Sequence, residues 1–151
     1  MVSRKKNPGS AKALRVFSSF GITKASQLKT KSDQWFEDVQ FLFRNERYSA
    51  AVYLGGFVIE CLLKASLWSR RQDDAIRSLI FRSHDLPRLL HANSALERDM
   101  QRDKLRNHAH FVQISSWHVR IRYNPRQVHR EDADAFLAHL REVRTWLRDR
   151  I

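Results

Sequence analysis

From about residue 30 to the C-terminus, apolar residues recur at intervals of three and four. No stretch alternates with period two for long enough to make a convincing strand. That spacing is the signature of one face of an α-helix. It predicts an all-α chain, an antiparallel bundle of four or five helices.

Thr30-Lys-Ser-Asp33 has the capping-box pattern and predicts the first helix start near Thr30 or Ser32. Trp35, Phe36, Val39, Leu42 and Phe43 follow on one face. A second helix is expected from about Arg47–Ser49 to Arg71, with Ala51, Leu54, Val58, Cys61, Leu62 and Ala65 inward. Gly55 and Gly56 lie inside it, each costing about 1 kcal/mol relative to alanine. Close approach of another helix explains them. A shorter helix is expected over Asp74–Phe81. His84-Asp85-Leu86-Pro87 opens the next, with Pro87 in the first turn, where its missing N–H is tolerated.

Ser94-Ala-Leu-Glu97 is a second capping box. It leads into a long helical stretch through Met100, Leu105, Phe111, Val112, Ile114 and Trp117. Asn124-Pro125 is a breaker. The last helix is expected over Arg130–Arg150, with Phe136, Leu140, Val143 and Leu147 as its stripe and Trp146 beside them. The expected core holds Trp35, Phe43, Leu54, Val58, Leu62, Phe136, Leu140 and Val143. Glu60 and Lys64 sit one turn apart in the most apolar helix. They are expected to be structural, partly buried, and paired with each other or with Arg122.

At 151 residues the chain is one domain, large enough for a core without disulfide or metal staples. Cys61 is the only cysteine, so an intramolecular disulfide is impossible, and a reducing compartment fits. The four glycines cannot build GxGxxG or GxxxxGK[ST], and GxSxG is absent. These absences exclude the familiar phosphate-cradling and hydrolase frameworks.

The net charge of +12 is unevenly placed. Residues 1–32 carry eight Lys/Arg and no acid, whereas the rest carries 20 basic and 16 acidic residues. Residues 1–29 are read as a basic, mobile tail with a possible short element near Val16–Leu28. Residues 30–151 are read as the helical domain. An N-terminal presequence is the other reading of the acid-free start. No apolar signal core follows the basic residues. The most apolar window, Ala50–Trp68, contains Glu60 and Lys64, at about 2.5–3.5 kcal/mol per mid-bilayer charge. A cytoplasmic protein with no membrane span is expected.

The segment Lys104–Arg130 spans 27 residues without an acid. It holds Lys104, Arg106, Arg120, Arg122, Arg126 and Arg130, four histidines, Trp117 and Tyr123. Guanidinium groups grip phosphates and aromatic faces stack on exposed bases. Arg120, Arg122, Tyr123 and Arg126 are therefore the candidate anion-binding residues, facing RNA or a nucleotide. The other reading is a solvated basic face with Trp117 in the core. No cofactor is called for. A metal site is not expected either: His108 and His110 are two apart, on different helix faces, and Cys61 has no neighbouring ligand in sequence.

Several of these residues fall into an ordered set. Trp35 is followed by Arg47-Tyr48-Ser49-Ala50-Ala51 and by Val58-Ile59-Glu60-Cys61-Leu62-Leu63-Lys64-Ala65. His84-Asp85-Leu86 comes next, with Leu89 and Leu90 after it. Trp117-His-Val-Arg-Ile-Arg122-Tyr123-Asn124-Pro125 follows, then a closing helix with Ala133, Phe136 and Trp146. Over about residues 32–150 the chain resembles the HEPN domain, a helical-bundle family of prokaryotes and higher eukaryotes. The resemblance implies a bundle that often dimerises and works on RNA or nucleotides. Some members are metal-independent ribonucleases, often toxins paired with a nucleotidyltransferase antitoxin. Those use an Arg and a His separated by four to six residues. Others lack the pair and act as binding or non-catalytic modules.

Arg77/His84, Arg102/His108 and Arg122/His129 satisfy that spacing. Twenty Arg and seven His give about three such matches by chance, so the spacing alone carries no information. In the active ribonucleases the pair commonly reads Arg-Asn, three residues, His. Arg106-Asn107-His108-Ala109-His110 is similar but one residue short, and one residue rotates a helix by about 100°. Arg122 and His129 are split by Pro125, with His129 near the start of the last helix. The expectation is an RNA- or nucleotide-binding module acting through an Arg-rich face, forming a homodimer. The alternatives are a metal-independent ribonuclease and a non-catalytic partner of a nucleotidyltransferase.

Overall fold

A computed structural model describes residues 21–151 apart from 71, 72 and 122, with backbone alone at 104, 105 and 117–120. The described residues are helical, without strands. Four long helices, α1 (Ala25–Arg44), α2 (Tyr48–Trp68), α6 (Ala109–Arg120) and α7 (Arg130–Arg148), form the body. Three short ones, α3 (Asp74–Arg82), α4 (Leu86–His91) and α5 (Ser94–Arg102), bridge α2 to α6, with a π-helical turn at Lys104–His108.

The first helix starts ahead of its apparent cap. Residues 25–29, grouped with the tail on sequence grounds, are helical, and Leu28 is buried. Gln27 Oε1 accepts hydrogen bonds from the backbone N–H groups of Thr23 (2.7 Å) and Lys24 (3.0 Å), satisfying the exposed amides of the true start. Two residues of the Thr30–Asp33 pattern have tertiary partners instead. The buried Ser32 hydroxyl donates to the Val58 carbonyl of α2 at 2.9 Å. Asp33 pairs with Arg144 and Arg148 of α7.

Helix α2 runs through the centre, and from Val58 to Leu67 every residue is buried. Among the described residues it is the one helix long and apolar enough to cross a membrane, and most of it is buried inside the bundle. Helices α1 and α7 flank it. At Gly55 the approach is close: an added methyl would overlap the Phe136 ring of α7 and lie 3.2 Å from Leu140 Cδ2. The packing explanation of this glycine therefore holds. Val58, Leu62, Phe136, Leu140 and Val143 are in the core as expected. Trp35, Phe43 and Leu54 are only half-buried at its edge, and Lys31 Nζ sits 4.1 Å over the Trp35 ring.

The short helices are capped by their own sequence. Asp73 Oδ1 accepts from Ile76 N (2.9 Å) and Asp85 Oδ1 from Arg88 N (3.0 Å), each supplying one orphan amide with a partner. At α5 the cap is Asn93 rather than Ser94. Its Oδ1 accepts from Leu96 N at 3.2 Å while its Nδ2 donates to Ser66 Oγ at 3.2 Å. The continuous helix expected from Ser94 to Trp117 is broken at Asp103, where the π turn begins.

Candidate functional site

The π turn and the start of α6 present Arg106, His108 and His110. Arg106 Nη2 reaches Glu142 Oε2 of α7 at 3.1 Å. His110 Nδ1 lies 2.7 Å from His139 Nδ1, one turn earlier on α7. Arg106 and His110 therefore both address α7, through partners three residues apart on its surface. The shortened spacing, with which the histidine need not face the same cleft, leaves both groups on the α7 side, because four residues are close to one helical turn. A hydrogen bond between two imidazole nitrogens needs one N–H and one lone pair, so the two Nδ1 atoms share a single proton. Burial, reinforced by the neighbouring His110, pushes the His139 imidazole below its ordinary value. The combination offers a guanidinium beside a histidine pair, a set that can donate and accept protons near an anion.

Arg102 and His108 are not brought together. Arg102 points outward and pairs loosely with Asp99 at 3.6 Å. His108 instead faces an apolar groove of about 510 Å3 with Pro87, Leu90, Phe111 and Val112. His129 is the residue before α7, exposed, with no side-chain capping bond. Arg122 and the side chain of Arg120 lie outside the described residues, as does that of Trp117.

The loop between α6 and α7 carries the remaining candidates. Tyr123 is 86% exposed. Arg126 is exposed, and its backbone N–H donates to Asn124 Oδ1 at 3.0 Å, an Asx turn that fixes the loop locally. Val128 N donates to Ser49 Oγ at 2.9 Å, pinning the loop to the first turn of α2. Between them lies a polar cleft of about 450 Å3 lined by Glu46, Arg47, Ser49, Asn124 and Arg126, among others. A neighbouring cleft of about 500 Å3 is shared by Arg126, His129 and Asp132. The acid-free segment is thus not acid-free in space. Glu46, Asp132 and Glu142 come to it from other elements.

Glu60 and Lys64 are buried and joined at 2.7 Å, as expected, and His84 adds a bond that the sequence did not suggest: its Nδ1 is 3.0 Å from Glu60 Oε1. Burial first, then the adjacent Glu60, pushes the Cys61 thiol up to about 11, which disfavours the thiolate. His139 and Glu142 also escaped sequence reasoning. They flank the α7 core stripe, and nothing local distinguishes them from ordinary surface residues.

The family model for the HEPN domain matches residues 25–150, nearly the whole helical bundle. The chain belongs to the HEPN domain family. No curated protein and no solved structure matches it.

Proposed function

We propose that this HEPN domain binds RNA or nucleotides through the loop between α6 and α7. The carrying observation is Tyr123, a ring 86% exposed in the loop whose next residues, Asn124 and Arg126, line a polar cleft with the exposed Arg47. Exposed aromatic rings are costly to leave in water and are suited to stacking on bases, while arginine holds the adjoining phosphate. Arg120 and Arg122 belong to the same proposed surface by sequence. The test is labelled single-stranded RNA titrated against the full chain and a chain beginning at residue 21. Tyr123→Ala is expected to cost about 1–3 kcal/mol in both. Arg126→Ala is expected to flatten the salt slope by close to one unit for each phosphate that its guanidinium neutralises. Binding that resides wholly in residues 1–20 would remove this reading.

A second reading, metal-independent RNA cleavage, is favoured by the convergence of Arg106, His110 and His139 on α7. Its check is cleavage of labelled RNA with chelator present, abolished by His110→Ala and by Arg106→Ala. A homodimer, and a nucleotidyltransferase as partner, remain part of the proposal. Light scattering and co-purification test them.

A further inference from the structure

Over α3 and α4, away from the loop at Tyr123, lies a cleft of about 410 Å3 lined by Ser78, Arg82, Ser83, His84 and Arg88. Among the described residues, no acid lines it. Asp73, Asp74 and Asp85 stand nearby without lining it; Asp73 caps Ile76 N and Asp85 caps Arg88 N. Neither Arg82 nor Arg88 has a carboxylate partner among the described residues, unlike Arg106, Arg144 and Arg148. Ser83 Oγ accepts from Asp85 N at 3.2 Å, which leaves its own proton to donate.

His84 is set in this cleft from beneath. Glu60, 4% exposed on α2, meets His84 Nδ1 with both oxygens, at 3.0 and 3.2 Å, while Oε1 also accepts from Lys64 Nζ at 2.7 Å. A carboxylate only accepts, so the ring carries its proton on Nδ1 toward Glu60 and turns Nε2 outward. Phe57 packs edge-on against the ring at 6.3 Å between centroids, restricting its orientation. The His84 side chain is half exposed. A buried carboxylate thus fixes an imidazole whose free nitrogen stands among two guanidinium groups and two hydroxyls.

We infer that this cleft is a binding site for a phosphate monoester, held by Arg82 and Arg88, with Nε2 of His84 accepting from the P–OH of the singly ionised phosphate. Two forked guanidinium groups with two hydroxyls offer more donors than the two oxygens of a carboxylate can use. They match the three terminal oxygens of a phosphate monoester. The cleft also has room beyond the phosphate for the body that carries it. The chemistry fits a free mononucleotide and the 5′ phosphate of an RNA strand alike. The site does not rest on the loop reading above, since it uses different residues on different helices.

The test is calorimetric titration of the full chain with adenosine 5′-monophosphate, adenosine serving as control. Binding of the monophosphate and not of adenosine is expected. The Arg82→Ala/Arg88→Ala double variant, altered only at exposed side chains, should bind roughly tenfold or more weakly. An Arg98→Ala variant, which removes an exposed arginine outside both clefts, should bind it unchanged. Long-range 15N–1H spectra provide a readout that needs no variant: the His84 Nε2 resonance should shift on saturation with the monophosphate. Equal affinity in the Arg82/Arg88 double variant, an equal loss in Arg98→Ala, or an unmoved His84 Nε2 signal would each overturn the site. A 5′-phosphorylated oligonucleotide compared with its 5′-hydroxyl form separates the two sources. A preference that disappears with Arg82→Ala/Arg88→Ala assigns the RNA end, and monophosphate binding without that preference assigns the free nucleotide.

Discussion

The ring of Phe136 rests against the α-carbon of Gly55, so that a methyl group at that position would stand 3.1 Å from its Cζ and closer still to Cε1. Alanine is the better helix former by about 1 kcal/mol. Overpacking a tight contact costs about 1–3 kcal/mol. Gly55→Ala is therefore expected to lower the melting temperature despite the gain in helix propensity. Adding Phe136→Leu should recover part of the loss, and thermal melts of the two single variants and the double one measure it.

The Glu60–Lys64 pair is buried at 4% and 7% exposure; Lys64 has Glu60 at 2.7 Å, and Glu60 is bonded to His84 as well. Glu60→Ala leaves an ammonium without its partner and is expected to cost about 3–5 kcal/mol. Replacing both by apolar residues, Glu60→Leu with Lys64→Met, should cost far less. Urea unfolding of the single and double variants reads the difference. A double variant no more stable than Glu60→Ala would show that the charges are not coupled.

Asp33 sets a pH dependence. Its partial burial raises the carboxyl, but hydrogen bonds and charge from Arg148 and Arg144 outweigh this and hold it below its ordinary value of 3.8. The folded state thus releases this proton more readily than the unfolded chain. The stabilisation is complete above that ordinary value and is lost as pH falls through the lower folded one. Asp33→Asn should be less stable than the parent at neutral pH, with the gap closing below about pH 4. A gap that persists in strong acid would assign the effect to packing.

His139 acts in a higher window. Its imidazole is lowered from 6.5 by burial and by His110, so the folded protein resists taking the proton that the unfolded chain accepts. Stability contributed this way is present above 6.5 and falls away as pH drops through the lower folded value. His139→Asn should flatten stability over that range. Urea melts at about pH 7.5 and about pH 5.5 give the comparison, and equal slopes in both proteins would discount the histidine pair.

The parts of this molecule legible in the sequence are those that depend on one helix at a time. Phe136, Leu140 and Val143 declare a buried face by spacing alone, and Pro87 with Asp85 marks a helix start. Thr30–Asp33 misled because a capping pattern and a pair of tertiary contacts use the same residue types. Only the packed structure reveals that Ser32 serves Val58 and Asp33 serves α7. The π turn has no local signal in Lys104–His108. The candidate sites were the least legible. His110 meets His139 across 29 positions and His84 meets Glu60 across 24. Helix periodicity carries no information about which surface residues of two helices face each other.

The all-round burial of α2 also governs what happens when the fold is lost. An unfolded chain releases a long apolar segment whose two internal charges largely cancel, and such segments associate with one another. Opposing this is the net charge of +12, which makes unfolded chains repel while the solution is dilute in ions. Added salt shortens the reach of that repulsion to about 10 Å at 0.1 M and leaves the attraction between apolar segments intact. Recovery after heating is thus a race between refolding and precipitation, won by refolding at low ionic strength and by precipitation at high.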